Sequence, residues 1–211
     1  MASRRSSSQP IRLFQSKALE KLTVLPVGAF MVLWALVLPF VAWAGLGSAS
    51  PLQALMLATA GWAAWFLLEY AMHRFVFHLE PRSAAARQFV FVMHGNHHED
   101  PQDALRNLMP PVVSLPLAAV LWGASVLALG PMGTWFFFGL ISGYVVYDLI
   151  HYGCHQWKPR GRIGQALMKH HMRHHHANQD GNFAITGIFL DRWFGTGVTS
   201  VRRNNRTQEP A

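Results

Sequence analysis

The chain has 211 residues, a length typical of one domain; 51% of them are hydrophobic and only 13% are charged, whereas a soluble domain has about 25% charged residues. Its formal net charge of +8 comes from basic residues confined to 4–21, 74–106 and 158–206, which flank apolar runs. An anionic membrane surface attracts such flanks, so the charge needs no nucleic acid partner. The single cysteine, Cys154, excludes an intramolecular disulfide and a Cys-rich zinc or iron–sulfur site.

Residues 1–21 are rich in serine and basic side chains and are predicted to be a cytosolic tail. Apolar residues recur near one helical face over 11–22, which predicts a short helix at a membrane interface. The uncharged apolar run 22–44 follows. It has the length that a bilayer requires and exceeds the core of a secretory signal peptide, so it is predicted to be a retained membrane span.

Four apolar runs are predicted to cross a membrane, and the short uncharged turns 45–51 and 130–133 join them into two hairpins. The predicted spans are about 22–44, 52–72, 112–129 and 134–150. Because basic residues flank the spans and neither turn is charged, both termini and the polar segments are predicted to be cytoplasmic.

The predicted fold class is therefore all-α. A membrane domain over 22–199 carries a helical cap on its cytosolic side, and the cap is formed by the polar segments 73–108 and 151–199. Residues 200–211 are predicted to be a C-terminal tail.

All twelve histidines lie between positions 73 and 176, and ten of them fall into four groups. Each predicted hairpin ends in a pair, and each polar segment after it carries a His-x-x-His-His triad. The groups are His73 with His78; His94, His97 and His98; His151 with His155; and His171, His174 and His175. Residues three and four apart share one helical face, so the three imidazoles of a triad are predicted to converge on one point. The topology gathers all four groups on one side of the membrane.

This grouping indicates a metal site, because imidazole is the commonest protein ligand of transition metals. Ten ligands are too many for one ion and predict two ions with about five nitrogens each. Neutral nitrogen ligands favour zinc, copper, nickel or iron. Five nitrogens exceed the set of a structural zinc site and leave one octahedral position open, which suits an iron that binds oxygen.

Two carboxylates lie near the ends of the second and fourth predicted spans. Glu69 precedes His73 by four residues, and Asp148 precedes His151 by three. Both are predicted to accept hydrogen bonds from metal-ligating imidazoles. The alternative is that each is a helix-end carboxylate that remains in water.

Four segments in this order resemble the integral-membrane fatty acid hydroxylase superfamily, and within it the fatty acid 2-hydroxylases that act on sphingolipid acyl chains. They are His73-Arg74-Phe75-Val76-Phe77-His78, Met93-His94-Gly95-Asn96-His97-His98, Gly143-Tyr144-Val145-Val146-Tyr147-Asp148-Leu149-Ile150-His151 and His170-His171-Met172-Arg173-His174-His175. The resemblance covers roughly residues 70–195 and includes Asp103, Arg106, Pro110, Pro111 and Trp193.

The resemblance implies four transmembrane helices under a cytosolic cap with a dimetal centre, and oxygen-dependent hydroxylation of a lipid acyl chain at the carbon next to the carbonyl. The ligands it implies are His73, His78, His94, His97, His98, His151, His155, His171, His174 and His175. His170 and His176 lie beside ligand positions and are not included.

The resemblance also implies two iron ions, which zinc can replace in purified protein, and O2 as the co-substrate. Eukaryotic relatives often carry a fused cytochrome domain of the b type, and this chain has no room for one. An external electron donor, a reductase with a cytochrome or ferredoxin, is therefore expected beside the lipid substrate and the membrane.

Two other functions remain open. One is an oxidase or desaturase of the same superfamily that acts on a sterol, a carotenoid or an alkane. The other is a membrane protein that binds metal without redox chemistry, such as a zinc carrier, although the predicted spans have almost none of the polar groups that a carrier needs.

An apolar patch follows the last histidines. It comprises Phe183, Ile185, Ile188, Phe189, Trp193 and Phe194. It is predicted to cover the site, to rest on the membrane, or to be an ordinary packed helix of the cap.

Overall fold

The computed structural model describes residues 11–199, and all the regular secondary structure within them is helical. The helices are α1 (Lys17–Lys21), α2 (Val27–Ala44), α3 (Pro51–Met72), α4 (Ala84–Val90), α5 (Asn96–Glu99), α6 (Pro111–Leu129), α7 (Gly133–Gln156), α8 (Arg162–His176) and α9 (Phe189–Trp193). Two π-helical turns, His73–Phe77 after α3 and Phe91–Gly95 after α4, and one 3₁₀ turn, Gly130–Met132, complete the regular structure of this part of the chain.

Three helical stretches are long and apolar enough to cross a membrane: Val27–Ala44, Pro51–Phe77 and Pro111–Gln156. Many of their large apolar side chains face outward, as at Leu36, which is 68% exposed, and Leu127, which is 89% exposed. A continuous apolar exterior of this kind is typical of an integral membrane protein.

The third apolar stretch is a hairpin of α6 and α7. The chain turns at Gly130, whose φ of +67° is a left-handed conformation that glycine adopts without strain. Beyond the turn, Trp122 Nε1 donates a hydrogen bond to Thr134 Oγ1 at 3.1 Å, and the Trp122 ring stacks on Phe137. The apolar part of the molecule therefore consists of four long helices, α2, α3, α6 and α7.

Helix α7 lies at the centre of these four and packs most closely against α3. A Cβ atom added to Gly139 would lie 1.8 Å from the carbonyl oxygen of Ala58, and one added to Gly61 would lie 1.9 Å from that of Phe136. Small residues that let two backbones approach are typical of helix contacts in membranes. The close contact holds the C-terminal end of α3, which leads directly into His73, near the part of α7 that carries His151.

The helix bounds differ from the predicted spans at two ends. Helix α2 begins at Val27 rather than at residue 22, because Pro26 precedes it and Leu25 donates its N–H to Leu105 O at 2.8 Å. Helix α7 continues to Gln156 rather than ending at residue 150. The extension places both His151 and His155 within one continuous helix.

The interfacial helix predicted over 11–22 is shorter than expected and spans only Lys17–Lys21. The residues before it are held by Glu20, whose carboxylate accepts the N–H groups of Leu13 and Phe14. Glu20 also pairs with Arg106, which ties the segment to the cap. The predicted tail 200–211 lies outside the described residues.

Candidate metal centre

The structure brings the ten predicted histidines into two groups of five. Cluster A contains His73, His78, His94, His98 and His174; cluster B contains His97, His151, His155, His171 and His175. Within each cluster, one nitrogen from every imidazole lies within 4.8 Å of the others. The clusters touch, since the ring of His98 stacks on that of His175 at 4.3 Å.

Each triad is divided between the clusters, which corrects the prediction that its three imidazoles converge on one point. His94 and His98 belong to cluster A while His97 belongs to cluster B; His174 belongs to cluster A while its triad neighbours belong to cluster B. The reason is helical geometry: positions i and i+4 differ by about 40° around the axis, whereas i+3 and i+4 differ by about 100°. Each triad therefore joins both clusters.

A π-helical turn explains how the first pair converges. His73 and His78 are five residues apart, a spacing that points away from one face of an α-helix. The chain forms a π turn over His73–Phe77, with His78 N donating to His73 O at 3.2 Å, so residue i+5 lies over residue i. The two ring centroids are then 5.0 Å apart.

Hydrogen bonds at Nδ1 fix where the protons lie on two of the five imidazoles of cluster B, His97 and His151. His97 Nδ1 donates to Asn107 Oδ1 and His151 Nδ1 donates to Asn107 O, both at 3.2 Å. Asn107 Oδ1 is an acceptor because the Nδ2 group donates to Pro101 O at 3.1 Å. The two Nε2 atoms, 2.9 Å apart, therefore carry lone pairs that face each other. Facing lone pairs in a buried site repel each other, and a cation between them would remove that repulsion.

Cluster A has the same arrangement with different acceptors. His73 Nδ1 donates to Phe183 O, and His174 Nδ1 donates to Gly181 O at 2.8 Å. Their Nε2 atoms are thus unprotonated. His174 Nε2 lies 3.2 Å from His98 Nε2, and His73 Nε2 lies 3.0 Å from His94 Nε2.

The spacing of the imidazole nitrogens fits metal ions. Neighbouring Nε2 atoms are 2.8 to 3.2 Å apart in both clusters. Nitrogens at right angles around an ion with bonds of about 2.0–2.1 Å would be about 2.9 Å apart. Donor chemistry, proton positions and spacing therefore agree with a dimetal site, with one ion for each cluster.

Burial keeps the cap imidazoles neutral. Loss of water around the rings, followed by repulsion from neighbouring histidines, holds the pKa values of His94, His97 and His171 well below the ordinary value. Burial lowers the pKa of His98 to about 2 and that of His174 to about 3. The neutral form, with a free lone pair, is the one that binds a metal ion.

The expected partners Glu69 and Asp148 need correction, because no hydrogen bond joins either carboxylate to a histidine among the described residues. Glu69 is buried and accepts the backbone N–H groups of residues 185–187 at 2.9 to 3.2 Å. Asp148 accepts Met109 N–H at 3.0 Å and Tyr144 O–H at 2.9 Å. Each carboxylate accepts its hydrogen bonds from nearby backbone, hydroxyl or indole donors, so both stabilise the loops around the clusters.

The residues that do orient the imidazoles have no periodic signal in the sequence. They are Asn107 for cluster B and the carbonyl groups of Gly181 and Phe183 for cluster A. The structure places His170 outside both clusters, 2.9 Å from Asp191, and places His176 on the surface.

The apolar patch is divided between the site and the surface. Phe183 and Ile185 are buried, and the Phe183 ring contacts His73, His78 and His174. Trp193 and Phe194 are exposed, at 73% and 53%. The patch is therefore partly packed against cluster A and partly exposed on the surface, where it can contact lipid or solvent.

One cavity adjoins the clusters, and a second cavity adjoins the first. One, of about 270 Å³, lies under the segment Leu13–Thr23 and reaches His94, His97 and His151. The other, of about 190 Å³, lies between α3, α6 and α7 and is lined almost entirely by apolar side chains. Phe77, Met109 and Tyr147 line both, so an apolar chamber among the long helices adjoins a chamber beside the imidazoles.

Comparison with known proteins agrees with this arrangement. The chain is 36% identical over 188 residues to dihydroceramide fatty acyl 2-hydroxylase FAH2 of Arabidopsis thaliana, which covers 88% of this chain and 79% of that protein. It is 37% identical over 148 residues to fatty acid 2-hydroxylase of Homo sapiens, covering 68% of this chain and 40% of the human protein.

A solved structure shares the fold. The structure of full-length scs7p, in which only the hydroxylase domain is visible, matches 86% of this chain and 70% of that chain with a TM-score of 0.80 and 33% identity. Residues 58–196, which contain both clusters, match the fatty acid hydroxylase family. The chain is therefore a member of the fatty acid hydroxylase family.

Proposed function

We propose that this protein is a membrane-bound fatty acid 2-hydroxylase that uses O2 to hydroxylate the acyl chain of a ceramide or a free fatty acid at the carbon next to the carbonyl. The observation that carries the proposal is the pair of adjoining cavities, one apolar and one beside cluster B. The acyl chains in the names of the relatives favour this substrate over a sterol, a carotenoid or an alkane.

The apolar cavity is suited to the acyl tail. Leu117, Ala118, Leu121 and Ile141 line it, and the only carboxylate on its wall, Glu69, is already hydrogen-bonded to backbone N–H groups and to Trp65. Burial of methylene groups there contributes about 0.8 kcal/mol for each CH₂. That binding energy can hold one carbon beside the imidazoles and exclude water from it.

The cavity beside the clusters is suited to the polar end of the lipid. Besides histidines, its wall includes the side chains of Asn96, Arg106 and Asn107. Leu13 and Phe14 cover it from the N-terminal side. A lipid with its carbonyl group here would present the adjacent carbon to the imidazole clusters.

We further propose that clusters A and B each hold one iron ion. Five neutral nitrogens leave a coordination position open at each ion, and zinc would be accepted by the same donors. Bound iron would supply the activation of O2 and the oxidation of the C–H bond. The chain's own contribution is to hold ten neutral imidazoles, to keep water out, and to place the acyl carbon.

The orientation that we propose places four spans in the membrane and the cap, with the N-terminal tail 1–21, in the cytoplasm. Neither the 45–51 turn nor the 130–133 turn carries a charge, whereas Lys17, Lys21 and Arg74 flank the opposite ends of the spans. Basic residues accumulate on the cytoplasmic side. The membrane domain would then be 22–199, and the tail 200–211 would also be cytoplasmic.

This orientation allows an external electron donor to reach the metal ions from the cytosol. Lys158, Arg160, Arg162 and Lys169 are exposed on the cap. A basic surface of this kind accelerates the encounter with an acidic protein, so we propose a reductase with an acidic cytochrome or ferredoxin as the donor. The rate of electron delivery should fall as salt screens the encounter.

The deciding experiment is expression of the chain in a host without 2-hydroxy fatty acids, followed by mass spectrometry of all the host's lipids. We expect the mass of one oxygen atom to appear at the 2-position of acyl chains. Oxygen on a sterol, carotenoid or alkane instead would support the alternative oxidases. A protein that binds metal and leaves every lipid unchanged, with a reductase present, would contradict the proposal.

A further inference from the structure

Residues 181–184, which we call the strap, lie against His73 and His174 of cluster A. The strap offers two backbone carbonyl oxygens to the imidazoles, that of Gly181 to His174 Nδ1 and that of Phe183 to His73 Nδ1. These bonds place the protons on Nδ1 and leave Nε2 free. A metal-ligating histidine needs such a partner to fix its tautomer and ring orientation.

The carboxylate of Asp191 holds the strap. It is fully buried, at 0% exposure, and accepts the backbone N–H groups of Phe183 and Ala184, both at 2.9 Å. It also accepts Thr196 Oγ1–H at 2.7 Å and lies 2.9 Å from His170 Nε2. His170 lies on α8 directly before His171, so the carboxylate joins the strap to the helix that supplies ligands to both clusters.

Asn182, within the strap, also connects the strap to α8. It is fully buried and has a φ of +55°, a left-handed conformation that is uncommon for a residue with a side chain. Its Nδ2 group donates to His170 O and to Val198 O, both at 3.1 Å. Surrounding contacts must maintain this backbone conformation, because it is locally unfavourable.

The planarity of the peptide bond links Asp191 to a metal ligand. The Ala184 N–H and the Phe183 C=O belong to one peptide unit, so they point in opposite directions within one plane. When Asp191 fixes the N–H on one side, it also fixes the carbonyl on the other side, where His73 Nδ1 donates. His73 is fully buried at 0% exposure and has little freedom to find another acceptor.

We propose that Asp191 is a positioning residue for cluster A: by holding the Phe183–Ala184 peptide plane it keeps His73 in the metal-binding tautomer. His97 and His151 of cluster B do not depend on it in this way, because they take their Nδ1 acceptors from Asn107. The inference rests on the two-metal centre of the proposed function. It assigns a role to a carboxylate that belongs to neither cluster.

The test is the metal content of Asp191→Asn. The amide keeps one acceptor oxygen but directs an NH₂ donor at an N–H donor, which should tilt the peptide plane. Loss of such a partner typically weakens metal binding about 10- to 100-fold. In protein loaded with zinc and dialysed against increasing chelator, wild type should retain two ions per chain where Asp191→Asn retains one. Arg192→Gln, a change at an exposed side chain of the same helix as Asp191, should retain two.

Double variants identify the cluster that loses its ion. His174→Ala should remove the cluster A ion, so adding Asp191→Asn to it should change nothing; adding Asp191→Asn to His171→Ala should remove the ion that remains. Wild-type retention in Asp191→Asn, or parallel loss of both ions, would overturn the proposal, the latter by making Asp191 a general folding residue. A wild-type protein that never holds two ions would overturn the metal centre itself.

Discussion

The Nε2 atoms of His97 and His151 face each other at 2.9 Å, and the Nδ1 atoms of both rings are held by Asn107. The two histidines come from α5 and α7, 54 positions apart. One asparagine, itself only 3% exposed, therefore fixes the tautomer of two ligands from distant segments. This sharing makes cluster B sensitive to a residue that binds no metal.

Asn107→Ala should lower the zinc affinity of cluster B by about 10- to 100-fold, because His97 loses the acceptor for its Nδ1–H. The backbone carbonyl that serves His151 remains. Metal analysis after dialysis against a chelator should show one ion retained by cluster A. Asn107→Asp keeps an acceptor oxygen and should retain more metal than Asn107→Ala, while Asn178→Ala, on the surface, should behave as wild type. Equal retention by all three variants would contradict the role of Asn107.

The family and the identity of the ten histidines that gather into two sets of five could be predicted from the sequence, because spacing and span lengths are local properties. The division of each triad could not be seen from spacing alone. The three positions lie on the same side of a helix, yet adjacent residues such as His97 and His98 differ by about 100° in direction around the helix axis. The π turn at His73 leaves no clear mark in a single sequence. Its effect is visible only in the hydrogen bond from His78 N to His73 O.

The hydrogen-bond acceptors of the imidazole Nδ1 atoms could not be predicted, because these contacts form only in the tertiary structure. Asn107 lies ten residues from His97 and 44 from His151, and Phe183 lies 110 from His73. Such contacts depend on how the helices pack, and no periodicity records them. Glu69 and Asp148 lie at the ends of apolar runs, a position that favours a functional prediction. Their acceptor oxygens are nevertheless occupied by backbone, hydroxyl and indole donors.

His174→Ala should abolish hydroxylation while the protein stays in the membrane fraction. The change removes one of the five nitrogens of cluster A, whereas the long apolar helices that hold the protein in lipid are untouched. His176→Ala is the matched control, because His176 is exposed and lies outside both clusters; it should retain most of the activity. Product analysis in cells that express equal amounts of each variant measures the difference. Full activity in His174→Ala would remove that residue from the ligand set.

Ala118→Phe should shift the products towards shorter acyl chains and lower total turnover at least about tenfold. Ala118 is buried at 7% exposure on the wall of the apolar cavity, so a phenyl ring there would occupy space proposed for the acyl tail. Ala119→Phe makes the same change one position away on the outer face of α6, where lipid can receive the ring. The chain-length distribution of 2-hydroxy products compares the two. Unaltered products from Ala118→Phe would place the tail elsewhere.

Glu69→Gln should destabilise the protein by about 1–3 kcal/mol. The amide directs an NH₂ group at the indole N–H of Trp65 or at Thr186, both of which donate to the carboxylate in the wild type. Thermal unfolding in detergent measures the loss. Glu80→Gln, at an exposed carboxylate, should unfold at the wild-type temperature. A stable Glu69→Gln would show that the loop over residues 185–187 does not need the charge.

Labelling of single cysteines can measure which side of the membrane the clusters face. Ser48 lies in the turn between α2 and α3, and Ala85 is exposed near the start of α4 in the cap. If the apolar helices span the bilayer, these two positions lie on opposite sides. In the orientation that we propose from the basic flanks, Ala85 is in the cytoplasm. In a Cys154→Ala background, Ser48→Cys should react with an impermeant maleimide added to intact cells. Ala85→Cys should react only after the membrane is opened. Labelling of both from outside would contradict the four-span topology; labelling of Ala85→Cys alone would reverse the orientation and place the clusters out of reach of a cytosolic donor.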